Sequence, residues 1–426
     1  MRIRFIQEFI DAFRGKRQKV HGVKYFLKIQ KNIQDNIFFL KNKTNKGEKI
    51  KVAFLFMYAT DCQNLSIFDK MLEDNSIFDP YFIINPDVMR SKENFDYNYK
   101  RSKYELIKKY GQARVLDGYD YKSNKFIDYT NEFDIATTNN PYDNMAHKLY
   151  KISYWAKKQI PIFYISYFYM GRCFVGINNL QSDAFSYFWK VFVENEYVLE
   201  LAKKYEIIEG RNIIVSGSPK MDELANIIPQ NKSRKIIIVA PHHSIDEDEK
   251  SVGGFLQYSD ILLQLPQKYP NIDFVFRPHP LLFENLRTKY WGKEKSDKYL
   301  AELLSNDNVT YSTEGKYLEL FAESNALIHD CGSFCAEYLY TGKPCAYLYK
   351  QGLNPDAIWT DFGKKCIDSH YLIKEPNEIE KFIDDVVINE NDYLKDTRNE
   401  FAENVITVNY PTCTDYIMNK LIEVFK

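Results

Sequence analysis

The segment from Ile328 to Pro344 holds the residues best suited to bind an anion. It reads as the end of a strand, a turn of small residues and a helix that begins near Phe334. Gly332 and Ser333 allow backbone N–H groups to approach a phosphate, and the positive end of the helix dipole lies at the same place. Glu337 follows one turn later, where a carboxylate can bind a ribose hydroxyl. The spacing predicts a site for the diphosphate and sugar of a nucleotide donor.

An arginine and a histidine follow the candidate strand Ile272–Phe276, in the segment Arg277-Pro278-His279-Pro280. The two prolines hold the turn rigid. Arg277 can bind a phosphate with two N–H groups, and His279 can donate a hydrogen bond to a phosphate or transfer a proton. Because ligands of open α/β sheets bind at the carboxyl ends of strands, we expect both side chains to act in catalysis. The alternative is a capped strand end with a buried histidine.

Two adjacent histidines, His242 and His243, follow the candidate strand Ile236–Val239. Adjacent side chains of an extended chain point in opposite directions, so we expect at most one of them to contact a ligand. That histidine would act on a donor phosphate or on the acceptor. A zinc site would need a third or fourth ligand, which the sequence does not place.

The seven cysteines show no CxxC spacing. Cys331 and Cys335 lie four residues apart, and we find no second pair of cysteines or histidines at the spacing of a structural zinc site. The pattern predicts reduced thiols with no disulfide framework, no metal and no cofactor.

Two residues directly before the anion-binding turn are further candidates for the donor site. His329 ends its strand and is either a ligand or a structural histidine with its hydrogen bonds satisfied. Asp330 can cap the helix that follows. Lys343, at the far end of the segment, is expected to be a solvated turn residue.

Two loops of the first half of the chain complete the candidate site. The loop after the strand Ile213–Val215 offers its backbone to the donor through Gly217, Ser218, Pro219 and Asp222. Asp222 can equally be a charge in the first turn of a helix. The loop after the strand Ile162–Ser166 is the candidate acceptor loop, with Ser166, Tyr167 and Tyr169. Its aromatic rings can stack on a ligand or fill a core.

Strand and helix candidates alternate along the chain from Lys51, and the series restarts after Lys232. Repeated βα units imply parallel sheets, and two series imply two Rossmann-like domains. We therefore predict an α/β fold of the GT-B type, in which the two domains face a cleft. The predicted divisions are a basic helical arm with a linker at 1–48, an acceptor domain at 49–230, a nucleotide-donor domain at 231–390, and helices packing back on the first domain at 391–426.

Positive charge is concentrated at the N-terminus. Residues 1–51 carry 14 Lys and Arg against 4 Asp and Glu, whereas the whole chain has a net charge of −1. An apolar helical stripe runs through the arm, formed by Ile3, Phe5, Ile6, Phe9, Ile10 and Phe13. Such a helix can lie on an anionic membrane surface or dock on its own domain.

Two further features of the sequence bear on the cellular location of the protein. No apolar run is long enough to span a membrane, and the charged N-terminus does not resemble a signal peptide. We therefore predict a cytoplasmic protein at the inner face of the cell membrane. The balanced overall charge argues against a nucleic-acid partner.

In these motifs the chain resembles the CDP-glycerol glycerophosphotransferase family of teichoic-acid and capsule polymer enzymes. The resemblance lies in four segments that occur in family order, Gly217–Asp222, Ala240–Ile245, Phe276–Leu282 and His329–Leu339. It implies that Arg277 and His279 serve the donor diphosphate and the leaving group. It also implies that Gly332 and Ser333 bind phosphate, and that Glu337 holds the polyol or the ribose.

The chain departs from the family at one expected catalytic position. Much of the family has a Trp-His-Gly-type motif after a strand of the first domain, and its histidine is the expected general base. Here the segment Ile165–Gly171 contains no histidine. Either His242 or His243 takes the proton, or the chemistry differs. Cys331 also stands where the family often has a serine.

Together the motifs predict a transferase that moves a glycerol-phosphate or related alditol-phosphate from a CDP-linked donor. The acceptor would be a hydroxyl of a lipid-linked or polymeric molecule in capsule or teichoic-acid-type synthesis. One alternative is a GT-B glycosyltransferase that uses a sugar nucleotide for a surface polysaccharide. The other is a non-catalytic nucleotide-binding assembly subunit, which the missing histidine favours.

Overall fold

Runs of buried Val, Ile and Phe form the strands of two parallel sheets, each in its own unit of the chain. The computed structural model describes residues 2–58, 63–74, 76–230, 232–246, 251–313 and 317–426, with the backbone alone for residues 2–21, 63 and 174. Unit 1 comprises Met1–Tyr167, Ile177–Lys220 and Thr412–Lys426, and unit 2 comprises Phe168–Gly176 and Met221–Pro411. These divisions differ from those expected at 231 and 391.

The described residues of unit 1 form a seven-stranded parallel sheet in the order β3-β2-β1-β6-β7-β8-β9. Both faces of such a sheet are covered, so its strands are continuous apolar runs rather than alternating ones. A short antiparallel hairpin of β4 and β5 lies outside it. The strands are β1 (Ile50–Phe56), β2 (Phe78–Ile84), β3 (Val115–Asp117), β4 (Tyr119–Asp120), β5 (Lys125–Phe126), β6 (Ile135–Thr138), β7 (Ile162–Ile165), β8 (Lys190–Val193) and β9 (Ile213–Val215).

Helices connect the strands of unit 1, and side-chain caps fix where several of them begin. Ser91 accepts a hydrogen bond from the Asn94 N–H at the start of α3, and Asn195 accepts one from the Val198 N–H at the start of α7. The helices are α1 (Arg2–Asn45), α2 (Gln63–Glu73), α3 (Lys92–Tyr110), α4 (Ile152–Lys157), α5 (Cys173–Gln181), α6 (Asp183–Tyr187) and α7 (Glu196–Tyr205). The first residues of α5 belong to unit 2.

Unit 2 contains a six-stranded parallel sheet in the order β12-β11-β10-β13-β14-β15. The strands are β10 (Lys235–Ala240), β11 (Ile272–Phe276), β12 (Val309–Tyr311), β13 (Ala326–His329), β14 (Cys345–Leu348) and β15 (Tyr371–Ile373). With unit 1, this arrangement confirms the predicted α/β class with two Rossmann-like units.

The helices of unit 2 surround a core built on residues such as Ile237, Phe255 and Leu262. They are α8 (Phe255–Lys268), α9 (Leu282–Asn285), α10 (Gly292–Leu304), α11 (Leu318–Glu323), α12 (Phe334–Glu337), α13 (Pro355–Ile358), α14 (Asp361–Asp368), α15 (Glu378–Lys381) and α16 (Lys395–Phe401). The final helix, α17 (Cys413–Phe425), returns to unit 1.

The described part of α1 packs on unit 1. Its buried residues recur at helical spacing and comprise Phe26, Ile29, Ile33, Ile37 and Leu40. Gln30 donates hydrogen bonds to the carbonyls of Ser186 and Phe188 at 3.0 and 2.8 Å. Near the end of the helix, the Thr44 hydroxyl donates to the Phe425 carbonyl in α17 at 2.6 Å. This half of the arm is therefore docked on its own unit.

Helix α1 continues to Asn45, so helix occupies most of the segment 1–48 that was expected to hold an arm and a linker. The apolar stripe from Ile3 to Phe13 lies outside the residues whose side chains the structure describes. Among the described residues, no helix combines the length and the apolar character needed to cross a membrane.

We predict that docking of α1 contributes to the stability of unit 1. Ile37 is fully buried and the next residue, Phe38, is 65% exposed. Ile37→Ala should lower the free energy of unfolding by about 2–4 kcal/mol, because it leaves a cavity in a packed interface. Phe38→Ala, the matched control, should change it by less than about 0.5 kcal/mol. Urea unfolding curves measure both, and equal effects would contradict the docked position of α1.

Candidate functional site

The candidate motifs of unit 2 lie side by side because the strands before them are neighbours. β10 pairs with β11 and with β13, with Val239 opposite Phe276 and Ala240 opposite His329. The three loops that leave these carboxyl ends therefore start at one edge of the sheet. Such an edge is where open α/β sheets bind ligands.

His242, His243 and His279 form a cluster at this edge. The ring centroids lie 4.5 Å apart for His242 and His243, 4.1 Å for His243 and His279, and 5.1 Å for His242 and His279. The expectation that at most one of the adjacent pair could face the site is wrong. The chain after β10 is an irregular turn, in which the Ile245 N–H bonds the His243 carbonyl, so the alternation of a strand does not apply.

Backbone N–H groups fix the tautomers of two of these rings. The Ser244 N–H donates to Nδ1 of His242, and the Leu281 N–H donates to Nδ1 of His279, each at 3.2 Å. A neutral imidazole whose Nδ1 accepts a hydrogen bond carries its hydrogen on Nε2. Both rings therefore offer N–H donors. Since a metal ion needs lone pairs, the three close imidazoles suit an anion better than a metal.

Burial keeps the cluster uncharged. Burial first, and then the charge of His243, lower the pKa of His279 to about 4. The pKa of His242 is well below its ordinary value, through burial first and then through His243, His279 and Arg172. The pKa of His243 is lowered by burial and by Arg172. Near neutral pH the three rings thus act as neutral donors, and positive charge comes from arginine.

Arg277 stands beside the cluster at the end of β11. Its Nη1 donates to the Ser312 hydroxyl at 2.8 Å, and its guanidinium lies 5.2 Å from the centre of the Tyr317 ring. The Tyr317 hydroxyl in turn donates to the buried carboxylate of Glu337. Glu337, the expected ribose ligand, is thus engaged with a tyrosine inside unit 2.

Arg172 is a candidate that sequence analysis missed. Its charge lowers the pKa of both adjacent histidines, and its stem packs on Gly332, where a Cβ would lie 2.9 Å from the arginine Cδ. Its segment is joined to the rest of unit 2 by Thr360, whose N–H and hydroxyl bond the Gly171 carbonyl at 2.9 and 3.0 Å. The available signal was a lone arginine after the acceptor loop, 70 residues before the first histidine motif.

Asp330 has a different role from the expected helix cap. Its fully buried carboxylate accepts the N–H groups of His242 and Gly254 at 2.5 and 2.7 Å. Burial raises the pKa of Asp330 to about 7, and the two backbone bonds oppose that shift. The carboxylate joins the turn after β13 to the loop that carries the histidine pair.

The turn after β13 offers fewer N–H donors to a ligand than expected. The Phe334 and Ser333 N–H groups bond the Cys331 sulfur, which lowers a thiol pKa that burial raises to about 11. The Cys331 N–H donates to Nδ1 of the buried His329 at 3.2 Å. The ring of Phe334 packs against Tyr317, with centroids 5.0 Å apart. The histidine cluster therefore supplies more of the available donors than the glycine turn does.

Lys343 is not a solvated turn residue. Its Nζ donates to the Phe321 and Ala322 carbonyls at 3.0 and 2.6 Å, which satisfies the end of α11. Burial lowers the pKa of Lys343 to about 8.

The candidate acceptor residues divide between the units. Ser166 and Tyr167 follow β7 in unit 1, where the Tyr167 hydroxyl lies 3.2 Å from that of Tyr142. Tyr169 belongs to unit 2, is buried, and donates to the Tyr340 hydroxyl at 2.7 Å.

The remaining donor candidates lie where the chain passes from unit 1 to unit 2. Gly217, Ser218 and Pro219 follow β9 and belong to unit 1, and Asp222 belongs to unit 2. Gly217 has a φ of +77°, which an L side chain rarely adopts. A 3₁₀ helix at Pro219–Asn226 spans the boundary, with proline at its first position as expected.

Comparison with known proteins identifies the fold. No protein-family model and no curated protein matches the sequence. Among solved structures, the wall teichoic acid polymerase TagF matches with a TM-score of 0.54 and 13% identity over 98% of each chain. The UDP-GlcNAc 2-epimerase of Neisseria meningitidis, solved with UDP-GlcNAc bound, matches at 0.52 and 15% identity, over 88% of this chain and all of the other. MnaA of S. aureus, solved with UDP, matches at 0.54 and 13% identity, over 88% of this chain and 96% of the other. At these identities the likeness concerns the fold, and the chain has the GT-B fold.

Proposed function

We propose that the protein is a transferase that moves a glycerol-phosphate, or a related alditol-phosphate, from a CDP-linked donor to a hydroxyl of a surface polymer or lipid-linked acceptor. The observation that carries the proposal is the donor set at the carboxyl edge of the unit 2 sheet. There, three imidazoles cluster, Arg172 acts on two of them, and Arg277 follows the neighbouring strand β11. The fold shared with TagF over nearly the whole chain supports the same reaction class.

The donor set matches the charge that phosphoryl transfer develops. An acceptor hydroxyl attacks the β-phosphorus, a new O–P bond forms, and the bond from that phosphorus to the bridging oxygen breaks, so CMP leaves. Negative charge spreads over the phosphate oxygens, and preorganised N–H donors stabilise it. His242 and His279 present Nε2–H groups for this purpose, and the arginines supply positive charge.

The proton of the acceptor hydroxyl needs a base with a lone pair. In His242 and in His279, Nδ1 accepts a backbone N–H and Nε2 carries the ring hydrogen, so neither ring has a lone pair left for the proton. In the described part of the chain, no backbone N–H bonds the ring of His243, and its pKa is lowered mainly by burial. We assign the general base to His243, in place of the histidine missing from the acceptor loop.

The acceptor loop and the charged N-terminal arm support the proposed acceptor and the proposed cellular location. The acceptor loop with Ser166, Tyr167 and Tyr169 would bind the polymer or lipid-linked acceptor. The N-terminal arm would hold the protein at the anionic inner face of the cell membrane, since residues 1–51 have a net charge of +10 against −11 for the rest of the chain. Within unit 2, Asp222, Gly332 and Ser333 would contact the donor, and the roles of Gly217, Ser218 and Pro219 stay predictions from the sequence.

A sugar nucleotide is the second candidate donor. The observation in its favour is the likeness to UDP-GlcNAc 2-epimerases, one of which holds UDP-GlcNAc. A glycosyltransferase on this fold would also need N–H donors for the leaving diphosphate. The two functions differ in the base of the nucleotide, cytosine or uracil.

Nucleotide preference is the first test. Purified full-length protein is titrated in thermal-shift assays with CDP-glycerol, CDP-ribitol, CMP, UDP-glucose, UDP-GlcNAc and UMP. A ligand at 100 times its Kd stabilises the folded state by about 2.7 kcal/mol. We expect stabilisation by the cytidine ligands and CMP release in the presence of an acceptor. Stabilisation by uridine ligands alone would replace the proposal with the glycosyltransferase, and binding without turnover would support a non-catalytic subunit.

His279 is expected to be essential for turnover. His279→Ala should lower kcat by about 10²–10³, the usual effect of removing one preorganised donor. His279→Gln, which keeps an N–H donor, should retain more activity. His147→Ala is the control, because His147 stacks on Phe126 in unit 1 at 3.8 Å between ring centroids. Unchanged turnover of His279→Ala, measured as CMP release, would remove this residue from the site.

Arg172 should act on donor binding. Arg172→Ala should raise the Kd for the nucleotide diphosphate about 10- to 100-fold, in line with a hydrogen bond to a charged group. Arg287→Ala is the matched control, since Arg287 pairs with Asp297 at the surface of unit 2. Isothermal titration gives both constants, and equal affinities of the two variants would contradict the assignment.

A further inference from the structure

A second group of soft ligands lies inside unit 2, directly behind the turn after β13. It comprises His329, Cys335 and His370, all of them buried. One ring nitrogen of each histidine and the cysteine Sγ lie within 4.8 Å of one another. These residues come from the end of β13, from α12 and from the segment just after α14.

Two buried ring nitrogens in this group lack a partner. Nε2 of His329 and Nε2 of His370 are inaccessible and make no hydrogen bond within the described residues. Burying a polar atom without a partner is unfavourable, and native proteins rarely leave one so. Each Nδ1 is already engaged, by the Cys331 N–H for His329 and by the Cys366 carbonyl for His370. A guest between the two Nε2 atoms would satisfy both.

The orientation of His370 is that of a metal ligand. Its Nδ1 lies 2.7 Å from the Cys366 carbonyl, so Nδ1 donates and Nε2 keeps its lone pair. Histidines that bind metals usually donate their second N–H to such a carbonyl.

The three candidate ligands come from two places in the chain. His329 and Cys335 are six residues apart, and His370 follows 35 residues after Cys335, so a search for CxxC pairs does not find them.

We propose that His329, Cys335 and His370 bind a thiophilic divalent metal ion, with Zn²⁺ as the best match. Two imidazoles and one thiolate form a ligand set that zinc favours. On binding, the Cys335 thiol gives up its 3.2 Å hydrogen bond to the Cys331 carbonyl, releases its proton to solvent and becomes a thiolate. The ring hydrogen of His329 moves from Nε2 to Nδ1, which gives up the 3.2 Å contact with the Cys331 N–H. No group is oxidised or reduced.

This cluster differs from the one formed by His242, His243 and His279. That cluster has no thiol, two of its rings are committed as N–H donors, and Arg172 stands beside it. At the buried group one ring is so committed. Its nearby cation, Arg398, is itself paired with Asp392. The inference is independent of the proposed transfer reaction, because these buried side chains do not reach its donor set.

A metal here would fasten three segments that meet behind the candidate site. It would link β13 to α12 and to the end of α14, and thereby fix the turn that carries Asp330 and Gly332. The metal would therefore have a structural role, which is to hold the turn after β13 in position.

Metal content and spectroscopy test the proposal. Full-length protein purified without chelator is analysed for zinc by mass spectrometry, and chelator-treated protein is titrated with Co²⁺ alone. We expect about one ion per chain and the charge-transfer absorption of a cobalt–thiolate bond. Cys335→Ser should remove that absorption, and His370→Gln should weaken binding at least tenfold. Cys413→Ser, a buried cysteine of unit 1, should leave both unchanged.

The wild-type protein supplies a measurement that does not depend on folded variants. Zn²⁺ added to chelator-treated protein should raise its melting temperature, and this rise should persist in His279→Gln. Absence of zinc together with no cobalt–thiolate absorption would overturn the proposal, leaving a water molecule as the guest. Binding lost in His279→Gln but kept in Cys335→Ser would also overturn it, by placing the metal at the other cluster.

Discussion

The buried carboxylate of Asp330 is the interaction on which the candidate site depends. It accepts N–H groups from His242 and from Gly254, so one side chain fixes both ends of the loop after β10 against the turn after β13. Asn285, which donates to the His243 carbonyl at 3.0 Å, holds the same loop against α9. Burial raises the pKa of Asp330 to about 7, which shows how strongly the protein interior opposes its charge. A carboxylate suits this position because each of its two oxygens accepts one backbone N–H, whereas a neutral amide side chain has only one oxygen.

Unit 2 contains two groups of histidines, and hydrogen bonds to backbone atoms decide what each ring can offer to a ligand. Where Nδ1 accepts an N–H, as in His279, the ring presents a donor suited to phosphate. Where Nδ1 donates to a carbonyl, as in His370, it presents a lone pair suited to a metal. Residue type alone therefore does not assign a histidine to anion binding or to metal binding. His329, whose Nδ1 accepts the Cys331 N–H, has to change its tautomer to bind a metal, whereas His370 does not.

The GT-B fold carries more than one reaction. TagF and the UDP-GlcNAc 2-epimerases match this chain at similar TM-scores and at 11–15% identity. In folds of this kind ligands bind at the carboxyl edge of the sheet, which is where the candidate motifs of unit 2 lie. The reaction itself must then come from side chains. The three imidazoles and Arg172 suit any reaction in which negative charge develops on a phosphate, so the preference for a nucleotide base is what separates the candidate reactions.

The sequence by itself determined the architecture. Apolar runs such as Ile236–Val239 alternate with helical stretches, a pattern that favours parallel sheets covered on both faces, and the two series implied two units. It also placed Arg277 and His279 at a strand end, because the prolines and the apolar run are local signals. The sequence did not predict where α1 ends or which atoms Lys343 binds, because both depend on contacts with distant segments.

Only the tertiary structure decided which residues meet. His242 and His243 reach His279 because β10 and β11 are neighbours and the chain leaves the strand in an irregular turn. Arg172, which acts on His242 and His243, comes from a segment far away in sequence. In the buried group, Nδ1 of His370 donates to the Cys366 carbonyl. The physical reason is common to all these cases. Spacing along the chain fixes local geometry, whereas burial, tautomers and charge depend on neighbours that only folding brings together.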